Sequence, residues 1–162
     1  MAYTIRPWRD DDADAVAALG QASISVIAPH AYSAEQTEAW AARFPGPAAL
    51  RQRVADGATI LIAADTNDVP VAYAMLEADG HLDHLFNHPD HTRMGLAGLL
   101  LADAERVARE WGVERLYTEA SDLARPAFQR AGYVMTHRRD FEIAHGERMV
   151  PIHNWAMEKA LR

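Results

Sequence analysis

Between His81 and Trp111 the chain reads as a strand, a glycine-bearing turn and a long amphipathic helix, in that order. In the helix, Leu96, Leu99, Leu100, Ala104, Val107 and Trp111 recur at steps of three and four, and charged residues fall between them. Just before the helix stands Thr92-Arg93-Met94-Gly95-Leu96-Ala97-Gly98. Small residues there let an anion reach the unpaired N–H groups of the first turn, where the helix dipole adds partial positive charge. A phosphate-bearing ligand suits that place. Neither a dinucleotide fingerprint nor a Walker loop accounts for the segment. The first needs a third glycine and a later acidic residue. The second needs Gly-Lys-Ser/Thr, and the first lysine is Lys159.

The remaining elements follow from local signals. Tyr3 to Trp8 reads as a strand, and Asp10 to Asp12 as the cap and acidic first turn of a helix reaching about Ala22. Ser33-Ala34-Glu35-Gln36 is a capping box for a helix to about Arg43, broken by Phe44-Pro45-Gly46-Pro47 ahead of a short helix through Val54. Thr59 to Ala64 and Val71 to Glu77 read as a hairpin, followed by the strand of His81 to Asn87. After the long helix, Gly112 is a stop, Arg115 to Ala120 a strand, Leu123 to Ala131 a helix, Tyr133 to Phe141 a strand and Met149 to Lys159 the closing strand, with residues 142–147 as the last turn. The sum is an α/β fold, a mixed, mostly antiparallel central sheet with helices on both faces, in one domain over residues 1–162.

The glycine turn, preceded by Asn87-His88-Pro89-Asp90-His91, resembles the acetyl-CoA loop of the GNAT N-acetyltransferase superfamily. Ala120 to Tyr133, with Ala124, Phe128 and Gly132, is similar to that family's short-helix segment. Two departures stand out. Thr92 occupies the usual Gln/Arg slot, with Arg93 one place on, and Phe128 replaces a frequent tyrosine. The resemblance implies that acetyl-CoA is the cosubstrate, with its pyrophosphate on the backbone of Arg93, Met94, Gly95, Leu96, Ala97 and Gly98. It further implies that Leu85, Phe86 and Asn87 pair with the pantetheine amides where the sheet splays, that Ser121 and Phe128 flank the pantetheine arm, and that Arg93, Arg125 or Arg130 meets the 3′-phosphate.

Acetyl transfer to an amine needs a held donor, a neutral amine and a proton acceptor. Strand alternation puts His81 and Asp83 on one face of their strand and His84 on the other. An imidazole with a pKa near 6.5 suits the role of base, and a nearby carboxylate orients it. Counting back from Gly95, His81 and Asp83 stand where the resemblance implies a base or water-holding residue, which makes them the expected catalytic pair. With Phe128 in the tyrosine place, the general acid stays unassigned. Ser23, Ser25, His30, Tyr32, Trp40, His145, His153 and Trp155 are candidates for an acceptor cleft.

Composition bounds the alternatives. Half the residues are apolar (49%) and 24% charged, as in a globular domain. The net charge of -7 argues against nucleic-acid binding by phosphate neutralisation and mildly favours a cationic acceptor. No apolar run is long enough for a bilayer span or a signal core, so a cytoplasmic location without membrane attachment is expected. There is no cysteine. His81, Asp83, His84, His88 and His91 are conceivable metal ligands, but alternation divides them and no metal site is expected. The reading is an acetyl-CoA-dependent N-acetyltransferase acting on a small-molecule or peptide amine, with a homodimer as one allowed assembly. Its rivals are a non-catalytic acyl-CoA sensor and a His/Asp metal-binding protein.

Overall fold

A computed structural model describes residues 2–162. Seven strands and five α-helices lie along it. The first half holds β1 (Thr4–Pro7), α1 (Ala13–Ile27), α2 (Ala34–Ala42), α3 (Pro47–Ala55), β2 (Thr59–Ala64), β3 (Pro70–Leu76) and β4 (Leu82–Asn87). The second holds α4 (Leu96–Glu110), β5 (Arg115–Ala120), α5 (Arg125–Arg130), β6 (Val134–His145) and β7 (Arg148–Ala160). The strands form two antiparallel sheets, in the orders β1-β2-β3-β4 and β5-β7-β6. A single parallel bridge, His81 to Tyr117, joins them. The Tyr117 N–H donates to the Gly80 carbonyl (3.1 Å) and the Thr118 hydroxyl to the Leu82 carbonyl (2.7 Å). Beyond that rung, β4 and β5 part.

β3 is buried along its whole length because helices cover both faces of its sheet. On one face α4 lays down Leu96, Leu100, Leu101, Ala104, Val107 and Ala108, all buried. The expected apolar stripe is thus rotated toward Leu101 and Ala108, and Leu99 and Trp111 are 50% and 43% exposed. On the other face α1 and α3 pack Val16, Leu19 and Leu50 against Ile60, Ile62, Tyr73 and Met75.

Three local expectations shift. Asp10–Asp12 forms a 3₁₀ turn, and Asp12 spends its carboxylate on Arg6 (2.9 Å to each of two nitrogens) and the Arg9 N–H (2.7 Å). The helix after it runs to Ile27, past Ala22, because Ser23 and Ile24 are buried, and it ends at Ala28-Pro29-His30. Residues 142–145 continue β6, since Ile143 pairs with Val150 in the core and the ladder closes only at His145 and Arg148.

Candidate active site

The parting of β4 and β5 opens a cleft of about 790 Å³, walled by the α2–α3 segment and by the face of β6 and β7 beneath it. A narrower groove of about 210 Å³ shares Trp40, Leu85, Phe86, Ser121 and Ala124 with the cleft and runs to Asn87, Thr92 and Ala97. The groove ends at the glycine turn. Arg93 (φ 60°) and Gly95 (φ 75°) both take left-handed backbone there, and a Cβ on Gly95 would meet nothing within 4 Å. The first helical bond of α4 runs from the Leu99 N–H to the Gly95 carbonyl (3.2 Å). The N–H groups of Leu96, Ala97 and Gly98 therefore have no intrahelical acceptor at the positive end of a 15-residue helix.

Of the expected donor-side residues, Leu85, Phe86 and Ser121 line both spaces, and Asn87 and Ala97 line the groove. Arg130 reaches the groove, and Arg125 lies over the Trp155 ring (4.5 Å). Ser121 also caps the turn into α5, accepting the Ala124 N–H (3.1 Å). Phe128 is 2% exposed and meets Tyr133 edge-on at 5.0 Å.

The catalytic end departs from strict alternation. Leu82 pairs with Leu76 and His84 with Met75, which leaves Asp83 as the extra residue of a β-bulge. The bulge brings Asp83 and His84 together on the cleft side, their carboxylate and Nε2 3.6 Å apart, where opposite faces were expected. Asp83 accepts from the Arg53 guanidinium (2.8 Å). Burial pushes its carboxyl up, but Arg53 and the neighbouring imidazoles outweigh this and hold it below the usual range. Burial lowers His84 to about 4, so it is neutral, its Nδ1 2.8 Å from the Tyr73 hydroxyl.

His81 does not line the cleft. It stacks on Tyr117 (4.7 Å) and is bonded at both nitrogens, Nε2 to Glu119 (2.8 Å) and Nδ1 to Glu77 (2.5 Å). Burial alone would lower its pKa, but the two carboxylates raise it to about 9. Both carboxylates favour the protonated form of His81, whereas a base near 6.5 was expected to be neutral. The group it presents to the cleft is Glu119, which sequence reading missed. Strand alternation on β5, read as closely as on β4, was the available signal. Glu77, His81 and Asp83 also bring one ligand atom each within 4.8 Å of one another, a set different from the histidine-rich one considered above. Arg53, 2.8 Å from Asp83 and 3.7 Å from Glu77, already supplies positive charge there.

Of the acceptor-side candidates, Tyr32, Trp40 and His153 line the cleft and Ser23 the groove. Tyr32 donates to the His153 carbonyl (3.1 Å) and accepts the Asp122 N–H (3.0 Å), and Asp122 accepts from Trp155 (2.6 Å). Ser25, His30 and His145 lie outside both spaces.

This splayed pair of sheets with a glycine turn at one end has direct counterparts. The sequence model of the acetyltransferase (GNAT) domain matches residues 28–153. The chain belongs to the GNAT family. Its fold is similar to that of a GCN5-related N-acetyltransferase from Rhodopseudomonas palustris, with 32% identity over 99% of this chain and 96% of that one and a TM-score of 0.86. The PaiA N-acetyltransferase of Thermoplasma acidophilum, solved with coenzyme A, shares 16% identity over 99% of each chain, at a TM-score of 0.79. YncA of Salmonella typhimurium, solved with acetyl-CoA, shares 19% over 100% of this chain and 95% of its own, at 0.75. No protein of curated function matches. Among the described residues no helix is long and apolar enough to cross a membrane.

Proposed function

We propose that this GNAT protein transfers an acetyl group from acetyl-CoA to a primary amine by direct attack. One observation carries the reading: a groove that begins at helix N–H groups with no intrahelical acceptor runs between β4 and β5 into a cleft lined by carboxylates. The pyrophosphate rests on the turn from Arg93 to Gly98, and the pantetheine arm lies along Leu85, Phe86 and Asn87. Phe128 fills space below the arm and transfers no proton.

At the cleft end, Glu119 takes the proton of the incoming ammonium. His81, protonated and clamped by Glu77, positions that carboxylate and does not itself act as base. Asp83, held by Arg53, keeps a carboxylate at the cleft wall as a hydrogen-bond acceptor for the incoming ammonium. The freed amine lone pair attacks the thioester carbon, the C–S bond breaks, and the thiolate leaves, taking up the second proton that the nitrogen sheds as the amide forms. With a thiol pKa of about 8.5 it departs without a dedicated acid.

Calorimetry with acetyl-CoA, followed by thiol release measured with and without amines, tests the reading. Tight binding with amine-dependent thiol release is expected. Binding without any amine-dependent release would make the protein an acyl-CoA sensor, and absence of binding would remove the donor site.

A further inference from the structure

The cleft holds more positive charge than its own carboxylates neutralise. Five charged side chains line it: Arg43, Arg53, Arg139, Asp83 and Glu119. Asp83 is taken by Arg53, and Glu119 by the protonated His81 behind it. Arg43 and Arg139 have no carboxylate within ion-pair distance among the described residues. Arg139 is partly buried, donates only to the Asn154 carboxamide oxygen (2.9 Å) and lies over the Phe141 ring (5.2 Å). In a chain of net charge -7, two uncompensated guanidiniums facing one cavity are a specific arrangement.

Their place separates them from the donor phosphates. Both line the wide cleft, and neither lines the groove toward the glycine turn. Strand register then relates Arg139 to the carboxylate end. Glu119 pairs with Ala156, and Arg139 with Asn154, two residues along the same strand, so Glu119, Asn154 and Arg139 share one face. Two strand spacings across and two residues along put the Cα atoms of Glu119 and Arg139 about 12 Å apart. The long arm of Arg139 shortens that span.

We infer that the acceptor is a small primary amine that also carries an oxyanion, an amino-acid-like molecule whose carboxylate or phosphonate is held by Arg139 and Asn154 while its amine meets Glu119. The inference builds on the acetyltransfer reading above and reverses the purely cationic acceptor suggested by net charge. Bidentate guanidinium contact suits both oxyanions. Phe44 and Phe141, from the two walls of the cavity, accept the carbon skeleton between the two ends.

The test uses matched acceptors: amino acids and aminophosphonates beside their neutral amides and the parent amines. Thiol release gives KM and kcat, and calorimetry on the coenzyme A complex gives binding. Wild-type protein should show KM roughly 10–100-fold lower for the anionic acceptors than for their amides. Arg139→Gln should remove that advantage and leave the amides within about twofold, and Arg139→Lys should restore part of it. Equal KM for charged and neutral partners, or an equal loss on both in Arg139→Gln, overturns the inference. If acetyl-CoA binds and no amine turns over, calorimetry decides alone: anionic amines that bind in an Arg139-dependent way sustain the subsite while the enzyme reading fails. Failure of every anionic amine to bind ends the subsite.

Discussion

Glu119 and His81 form one unit whose members lose different things on substitution. Glu119→Gln removes the proposed proton acceptor and leaves a polar group of the same size. kcat/KM on a protonated amine should fall roughly 10²–10⁴-fold while acetyl-CoA affinity is unchanged. His81→Gln keeps the carboxylate but frees it from its 2.8 Å anchor. The loss should be smaller, and the activity change that accompanies deprotonation of His81 as pH passes about 9 should disappear from the profile. An equal loss in both variants would return the role of base to the imidazole. Phe128 gives a second test at this scale. Its ring is 2% exposed, so Phe128→Ala should cost about 3–5 kcal/mol in denaturant unfolding and raise KM for acetyl-CoA. Phe128→Tyr should be tolerated, with KM for acetyl-CoA near the wild-type value.

At the level of elements, the turn into α4 combines two demands on one residue. Gly95 has φ 75° and open space where a Cβ would stand. Gly95→Val should therefore lose acetyl-CoA binding in calorimetry, because the new branches stand where a phosphate approaches the backbone. It should also lower stability by about 1–2 kcal/mol from left-handed strain. Circular dichroism that stays native with binding unchanged would remove the turn from the donor site. This element was legible from sequence, as were the capping box at Ser33, realised as α2 from Ala34 to Ala42, and the β2–β3 hairpin. Each rests on local chemistry: glycine, a cap, an alternating run. The bulge at Asp83 was not legible, because it is fixed by how Leu82 and His84 pair with β3 across the sheet. The state of His81 escaped for the same reason. Glu119 lies 38 residues away, and only the join between the sheets brings it to the ring. The rotated stripe of α4 reflects two apolar choices of similar period, decided by which one met β3 and β2.

For the whole molecule, the two histidines set opposite limits on stability. His84 is lowered to about 4 when folded, so between the ordinary value near 6.5 and about 4 the unfolded chain binds more protons. Stability is full above 6.5 and falls as pH drops through that window. His81 is raised to about 9, so the folded chain binds more protons between 6.5 and 9, and its contribution, full below 6.5, is lost as pH rises through 9. Thermal melting should peak near neutrality, with His84→Asn flattening the acid limb and His81→Gln the alkaline one, each limb at most about 1.4 kcal/mol per pH unit. The joining of the two sheets has a consequence of another kind. Up to α4 the strands form one sheet and from β5 onward another, with a single rung of backbone pairing between them and α2 packed across the join onto β6 and β7. The covalent link from α4 to β5 passes through Gly112, which is exposed at φ 77° with nothing near its missing side chain. Severed there and coexpressed, the two polypeptides should find each other through the shared apolar seam of Leu82, Leu116 and Ala120 and copurify as one particle, so that the enzyme can be made to assemble only where both pieces meet.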